Sequence, residues 1–557
     1  MPTITVLPWD KRVEARPGET LLAALQRAGV DIESPCNGQG ICGRCGVWVS
    51  DPHRVPETPH RTIGADQAAQ GLRLACRVTA EGDLEVVLPE GAALNARILE
   101  GEKISGVVLA PAVRVQAEGG RFLLRYEDGP AEPLEGWEDG WVPKGLAVDI
   151  GTTTLVVSLF SLATGEELAT ASCLNPQTRF GHDVLSRIQK GSTPEGLREL
   201  AEAVRGGIGR LVEETCAASG SDPREVLDAV LGGNTTMLQL AAEIDPAPLG
   251  RLPFAVGLES DRVYPASRFG LRLHPRARVY VPPVAHAFVG SDITAGLLSC
   301  PGFFDGDRPL LFVDIGTNGE MALSSGGQWL VTSTAAGPAF EAMGLSSGMR
   351  AATGAVEAVS TDGETLEVRT VDGVPPKGIC GSGILDLVAV LLELEVIDPT
   401  GRMREPGETQ GLPPAVAERL TLFEGQPAFR LGEGVTFTQQ DVRQIQLAKG
   451  AIRTGIDMLL SETGVPLEGL EAVVLAGAFG YHLRPKSLET IGLLPPGAGS
   501  KVTFAGNTSR TGCAQMLLDA SSRRALGERM GRVRHVSLAE GLEFQERFVE
   551  NLAFPER

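Results

Sequence analysis

Apolar positions along this chain fall into short runs of two kinds. Some cluster or alternate over four to eight residues, as strands do, and others recur every three or four residues, as helices do. The clearest run lies at Lys144–Val157. Leu146 to Val148 predict a strand, Asp149 follows, and a turn of small polar residues comes next: Gly151, Thr152, Thr153 and Thr154. Leu155 to Phe160 then predict a second strand. The reading is a hairpin with a carboxylate and a row of hydroxyls at its tip. The pattern recurs 165 residues on, where Leu310 to Val313 lead into Asp314, Ile315, Gly316, Thr317, Asn318, Gly319 and Glu320, and Met321 to Leu323 lead out. Each copy is followed by a second turn, at Ala163-Thr164-Gly165 and Ser325-Gly326-Gly327, and a third strand.

The duplication extends further. Glu195–Ala218 is helix-periodic and precedes an apolar strand that ends at Gly232, Gly233 and Asn234. Thr438–Thr463 is helix-periodic and precedes Leu470–Gly480, a strand ending in Ala476-Gly477-Ala478-Phe479-Gly480. Thr438 and Asp441 have the spacing of a helix start. Glycines at a strand end let a ligand lie against backbone, or let strand and helix pack closely. Residues 145–300 and 301–557 are therefore read as two lobes of one α/β domain, each opening on a hairpin.

The first 89 residues follow another pattern. Thr3–Leu7 and Arg12–Ala15 predict strands, and Leu21 to Ala28 a short amphipathic helix. Four cysteines then appear with the spacing C-x5-C-x2-C-x30-C: Cys36, Cys42, Cys45 and Cys76. Three thiolates on one sharply turning loop can reach two adjacent irons, with Gly38, Gly40 and Gly43 permitting the turn, and a fourth from a distant strand closes the set. A four-cysteine zinc site usually pairs two short knuckles, and Cys76 has no close partner. A redox pair at Cys42 and Cys45 lacks its βαβ surroundings. Gly38, Gly40 and Gly43 also match the dinucleotide fingerprint, but they do not open a helix. Residues 90–144 are turn-rich and acidic, and read as a flexible connector or a small β element.

Length and composition narrow the picture. At 557 residues the chain suggests roughly three or four domains. With 70 acidic and 50 basic residues, its net charge of −20 disfavours binding to nucleic acid or an anionic membrane. No apolar run approaches the ~20 residues of a membrane span, and Met1–Arg12 has no signal-peptide core, so a cytoplasmic protein is expected. Gly344–Gly348 spells G-x-S-x-G without the strand and helix that a nucleophile needs. Cys380 reads as a small core residue at a helix start.

Glycine at the two hairpin tips allows close backbone approach, and the neighbouring N–H and O–H groups suit phosphate oxygens. A carboxylate beside them suits magnesium. Two tips facing each other could hold one polyphosphate. The twice-repeated D-x-G-T-[TN] hairpin, followed by A-G-A-F-G, resembles the superfamily of acetate and sugar kinases, heat-shock chaperones and actin. With the cysteine module in front, the whole order resembles the reductive activators of corrinoid proteins. That resemblance rests on the four cysteines, Asp149–Thr154, Asp314–Glu320, Ala335–Glu341 and Ala476–Gly480.

The resemblance implies a multidomain chain: an α+β β-grasp ferredoxin domain, then a two-lobed, ribonuclease H-like α/β ATPase. It implies a [2Fe–2S] cluster on Cys36, Cys42, Cys45 and Cys76. Asp149 and Asp314 would orient Mg2+ or the attacking water. Gly151, Thr152, Thr153, Gly316, Thr317 and Asn318 would contact ATP phosphates, with Gly477 and Gly480 on the adenosine side. Ser333, Thr334 and Glu341 are expected to face a corrinoid protein. An external low-potential electron donor and a homodimer through the ATPase domain are also expected. Alternatives are an activator of another low-potential enzyme, a small-molecule kinase with a ferredoxin sensor, and a nucleotide-binding scaffold.

Overall fold

Alternating apolar residues build the first sheet. In the computed structural model, β1 (Thr3–Leu7) buries Ile4 and Val6 while its odd positions face outward. The structure describes residues 2–7, 11–28, 30, 32, 45–56, 63, 65–80, 82–88, 108–127, 129–181, 183–477, 483–538 and 542–556. They form two compact units, one of Met1–Ala96 with Pro176–His182 and one of Arg97–Asn175 with Asp183–Arg557.

The first unit contains β2 (Lys11–Glu14), α1 (Leu21–Arg27), β3 (Gly46–Val49), α2 (Ala65–Ala69), β4 (Leu72–Leu74) and β5 (Leu84–Val87). Its sheet runs β2-β1-β5-β3-β4, with β1 and β5 parallel. Thr20 caps α1 by accepting from the Ala23 N–H at 3.2 Å. The helix buries Leu21, Leu22 and Leu25 with Ile4, Val47, Leu74 and Val86 in one core.

The second unit opens with a small sheet, β6 (Val113–Glu118), β7 (Arg121–Tyr126) and β8 (Glu132–Pro133). Of the two readings of this stretch, a flexible connector or a small β element, the second describes residues 113–133. Val113, Leu124, Leu134 and Trp137 lie in the same core as Leu227 and Tyr280, and the Tyr126 hydroxyl donates to the carbonyls of Leu227 and Arg276. Burial of these apolar groups outweighs the turn-rich composition around them.

Two six-stranded sheets follow. The first holds β9 (Lys144–Ile150), β10 (Thr154–Ser161) and β11 (Glu167–Leu174), then α3 (Val184–Gly191), α4 (Pro194–Ala218), β12 (Val226–Gly233), α5 (Thr235–Ala241), β13 (Arg262–Pro265), β14 (Arg278–Val281) and α6 (Ser291–Ser299). Its order is β11-β10-β9-β12-β14-β13. The second starts with β15 (Leu310–Ile315), β16 (Gly319–Ser325) and β17 (Gln328–Thr334). An insertion carries β18 (Ala355–Thr361), β19 (Leu366–Thr370), β20 (Gly378–Ile379), α7 (Gly381–Glu393), α8 (Pro414–Ala417), β21 (Leu420–Phe423), β22 (Gln426–Gly432) and β23 (Val435–Thr438). Then come α9 (Gln439–Thr463), β24 (Ala472–Ala476), α10 (Pro485–Thr490), β25 (Val502–Gly506), α11 (Thr508–Leu518), α12 (Ala520–Met530), β26 (Val533–His535) and α13 (Leu542–Glu550), giving the order β25-β24-β15-β16-β17-β26. Among the described residues, no helix is long and apolar enough to cross a membrane.

The duplication is visible strand by strand. β9 and β15 are central, each antiparallel to the next strand and parallel to the strand after the long helix. Both are buried on both faces, which explains their unbroken apolar runs. Packing does not respect a division at residue 300, however. After β25 the chain returns, and α11 and α12 pack on the first sheet. A Cβ on Gly145 would meet Leu517, and the Arg510 guanidinium donates to Ser158 at 3.0 Å and to Glu167 at 2.6 Å. α6 and α11 lie together between the sheets, in a core shared with Phe312, Val474, Ala147 and Val230.

Arg523 of α12 donates to Asp228 of β12 at 2.6 Å, with both side chains almost fully buried. Removing one partner leaves an uncompensated buried charge. Arg523→Met is expected to lower the stability of the second unit by ~3–5 kcal/mol, and Asp228→Leu in the same chain to recover most of it. Urea unfolding of the three proteins, followed by tryptophan fluorescence, checks this.

Candidate functional site

The two hairpin tips stand at the mouths of their sheets, and their carboxylates converge. Asp149 is the penultimate residue of β9, paired with Val156 and Gly232. Asp314 is the penultimate residue of β15, paired with Glu320 and Ala476. Two further acids join them. Asp292, not singled out in the sequence, sits in the first turn of α6, and Glu320, read in the sequence as part of the second tip, is the second residue of β16.

The electrostatics follow from this crowding. Burial and then the charges of Asp149 and Asp314 push Asp292 up to about 8. Burial, Asp149 and Glu341 push Asp314 up to about 7. Glu320 is raised by burial, Asp292 and Asp314, and the Asn318 side chain bonds to it in partial compensation. Burial also raises Asp149, against the pull of Asn507, Ser509 and Arg510. Asn507 Nδ2 and Ser509 Oγ each donate to one Asp149 oxygen at 2.8 Å. Asn507 caps α11 as Asn234 caps α5. The shared G-N-T-[TS] signature at Gly233–Thr236 and Gly506–Ser509 was the sequence signal that could have found Asn507 and Ser509.

Glu341 closes the arrangement. Thr153 donates to its Oε2 at 3.0 Å and Thr317 to its Oε1 at 2.8 Å, so one carboxylate bridges the two tips. Ser333 and Thr334, expected with Glu341 to face a partner, lie at the end of β17. Glu341 is held between the tips. Thr334 is buried, its hydroxyl directed at the Gly319 carbonyl, and Ser333 pairs with Glu320 inside the sheet. Gly477, expected on the adenosine side, directly follows β24. At φ +114° it abuts Asp314, where a Cβ would lie 2.8 Å from the Ile315 carbonyl oxygen. Gly151, Thr152, Gly316 and Asn318 lie half-buried at the tips. Gly480 lies outside the described residues.

Among the described residues, no group of three or more His, Cys, Asp or Glu stands at metal-ligand spacing. Magnesium in nucleotide sites keeps several waters and is held partly by phosphate, and a ring of carboxylates set back from a common space suits that mode.

Of the cluster cysteines, Cys36 and Cys42 lie outside the described residues. Cys45 and Cys76 are both buried. The Ala75 N–H donates to the Cys45 carbonyl at 2.8 Å, which draws their two segments together beside the β3–β4 pairing. Buried sulfur donors from the residue just before β3 and from the helical turn just after β4 fit a [2Fe–2S] cluster. Elsewhere, Ser346 in the G-x-S-x-G match only braces a helix, donating to the capping residue Asp441 through its N–H at 2.8 Å and its hydroxyl at 3.2 Å. Cys380 is buried at the start of α7, as expected.

The fold and site define a class: a ferredoxin joined to a two-lobed ATPase of the actin and sugar-kinase type. Three family models match along the chain. These are a 2Fe-2S iron-sulfur cluster binding domain at residues 4–81, the RACo middle region at 144–301, and the C-terminal ASKHA domain of RACo at 308–557. The corrinoid activation enzyme RamQ of Eubacterium limosum is 35% identical over 423 residues, covering 74% of this chain and 70% of that protein. The [Co(II) methylated amine-specific corrinoid protein] reductase of Methanosarcina barkeri is 29% identical over 47% of this chain and 48% of its own. A solved structure of a reductive activator for corrinoid, iron-sulfur protein superposes with a TM-score of 0.71 at 30% identity, covering 100% of this chain and 98% of that one. The chain belongs to the family of reductive activators of corrinoid proteins.

The raised carboxyls set a pH dependence. Asp292 takes up a proton on folding, because its folded value of about 8 exceeds the ordinary 3.8. Its presence therefore destabilises the nucleotide-free protein increasingly as pH rises from about 4 to about 8, and constantly above that. Asp292→Asn removes the effect. Thermal melts of the two proteins should diverge with rising pH, the variant melting higher, and the difference should level off above about pH 8.

Proposed function

We propose that this protein uses ATP to drive the one-electron reduction of inactive cobalt(II) to cobalt(I) in a corrinoid protein. The observation that carries this reading is the Thr153–Glu341–Thr317 bridge between two acid-bearing tips, in a chain that also carries a ferredoxin cysteine set. The names of its relatives, an activation enzyme and a corrinoid reductase, support the same partner class.

Cys36, Cys42, Cys45 and Cys76 would hold a [2Fe–2S] cluster, which when bound supplies single electrons near −400 mV. Cobalt(I) corrinoids need a lower potential, and each ~100 mV of deficit costs ~2.3 kcal/mol per electron. The nucleotide cleft supplies the compensating free energy. Thr152 and Thr153 from one lobe, and Thr317 and Asn318 from the other, bind phosphate oxygens in place of Glu341. Asp149 and Asp314 orient hydrated Mg2+ or the attacking water, and Asn507 and Ser509 fix the Asp149 carboxylate for that task. Gly477 lets phosphate approach beside Asp314. Binding energy that differs between two lobe arrangements shifts the population between them. An external low-potential donor, a homodimer through the ATPase domain and a cytoplasmic setting complete the reading.

The test is anaerobic. Reduced protein, Mg2+ and ATP are mixed with a cobalt(II) corrinoid protein, and the cobalt(I) absorbance band is followed. ATP-dependent growth of the band is expected, and growth that ignores ATP would overturn the proposal. Cys42→Ser should abolish the band yet leave ATP binding intact. Asp314→Asn should leave the cluster spectrum unchanged and slow ATP-dependent activation by about 10²–10³-fold. Glu341→Ala removes the carboxylate that competes for both threonines, so ATP affinity in titration calorimetry should rise about tenfold.

A further inference from the structure

The first hairpin tip is held from behind. Its residues form a turn closed by the Gly151 N–H donating to the Thr154 carbonyl at 3.0 Å. Three carbonyls of this turn are drawn back into the lobe. Asn175 Nδ2 donates to the Gly151 carbonyl at 2.8 Å, and the Asn175 N–H to the Thr153 carbonyl at 2.8 Å. The Thr152 carbonyl between them accepts from Arg187 Nη2 at 2.6 Å. Arg187 comes from α3 and is fully buried.

A peptide is planar and trans, so each amide N–H points away from the carbonyl of the preceding residue. Fixing the carbonyls of Gly151, Thr152 and Thr153 therefore fixes the N–H vectors of Thr152, Thr153 and Thr154. Each N–H is aimed away from the group that holds its carbonyl. The Thr153 side chain, on the same turn, reaches Glu341 on the cleft side. Successive N–H groups oriented in this way make an anion-binding concavity.

The charge of Arg187 matters as well as its bond. A triphosphate entering this cleft meets Asp149, Asp292, Asp314 and Glu320. The Arg187 guanidinium places positive charge directly behind the turn. Its Nη1 lies 3.0 Å from the Met237 thioether, a weak acceptor. Burial lowers its hold on the proton to about 9, partly offset by Asp183, so it stays charged at neutral pH.

We propose that Arg187 and Asn175 are positioning residues of the phosphate-binding turn, fixing the Gly151–Thr153 carbonyls so that the turn's amides face the nucleotide's phosphate chain. This rests on the nucleotide reading above and assigns that site a supporting pair drawn from β11's end and α3.

The test measures ATP and adenosine affinity of the full-length protein by calorimetry, for wild type, Arg187→Ala, Arg187→Lys and Asn175→Ala. Arg187→Ala should weaken ATP binding about 10- to 100-fold, with Asn175→Ala at the lower end of that range. Adenosine, which has no phosphate, should bind each variant as it binds wild type. Methylguanidinium added to Arg187→Ala should restore part of the ATP affinity, and Arg187→Lys should fall between the extremes. Equal losses for ATP and adenosine, in a variant whose circular dichroism has changed, would overturn the assignment for Arg187 unless Asn175→Ala, folded, showed the phosphate-selective loss. Variants indistinguishable from a wild type that binds ATP would overturn it outright. A wild type that binds no ATP would remove the nucleotide reading itself.

Discussion

The second unit is organised around carboxylates that repel one another. Asp149, Asp292, Asp314 and Glu320 come from four separate elements of two lobes, and no two of the four would share a partly buried space without something to offset the charge. Protons meet part of that need, because burial and neighbouring carboxylates raise Asp292 and Asp314. Hydrogen bonds from Asn507 and Ser509 meet another part at Asp149. The remainder is available to a cation. On the proposed reading, such a site would favour a bound cation, because binding would relieve a cost that the fold already carries.

Holding those acids in place requires both sheets to be referred to one frame, and α6 with α11 supplies it. The helices cross where side chains are absent or small. A Cβ on Gly512 would collide with the Ala295 carbonyl, and one on Gly296 would lie 2.7 Å from Thr508 Oγ1. α6 brings Asp292 to the cleft and the N-terminus of α11 brings Asn507 and Ser509. The close crossing is thus what sets Asp292 and the Asp149 ligands at a fixed separation. The same two helices bury apolar residues against both sheets, so relative movement of the lobes must pass through this layer.

Much of this was legible in the sequence where the determinant is local. A hairpin tip of Asp, Gly and Thr announces itself within ten residues, and its repetition announced the second lobe. The capping pair Thr438 and Asp441 was legible for the same reason, and the structure shows both bonds of the box. What was not legible depends on residues far apart in the chain. Asn507 and Ser509 lie some 358 and 360 positions from the carboxylate they hold. Glu341 looked like a loop acid free to meet a partner, and only the meeting of two tips reveals its bridging role. In the turn-rich segment 90–144 a small β element was legible, but its attachment to the larger core was not, because Val113, Leu124 and Trp137, all buried, meet Leu227 and Tyr280 from far along the chain. Arg187 carried no motif at all.

The Glu341 bridge has a consequence for how ATP and a redox partner can influence each other. One carboxylate satisfies a hydroxyl on each lobe, so the tips are joined by an anionic group. On the proposed reading, phosphate would replace this connection between the lobes with another of different size and charge. The lobe arrangement that fits a carboxylate would then differ from the one that best fits a triphosphate. Two arrangements with different occupants is the minimum that coupling requires. Linkage then works in both directions: a partner that prefers the arrangement favoured by ATP must raise ATP affinity by the same factor that ATP raises its own. The bridge is small, two hydrogen bonds, and that suits a switch. A stronger clasp would hold the cleft against nucleotide, and none would leave the lobes without a defined state to depart from.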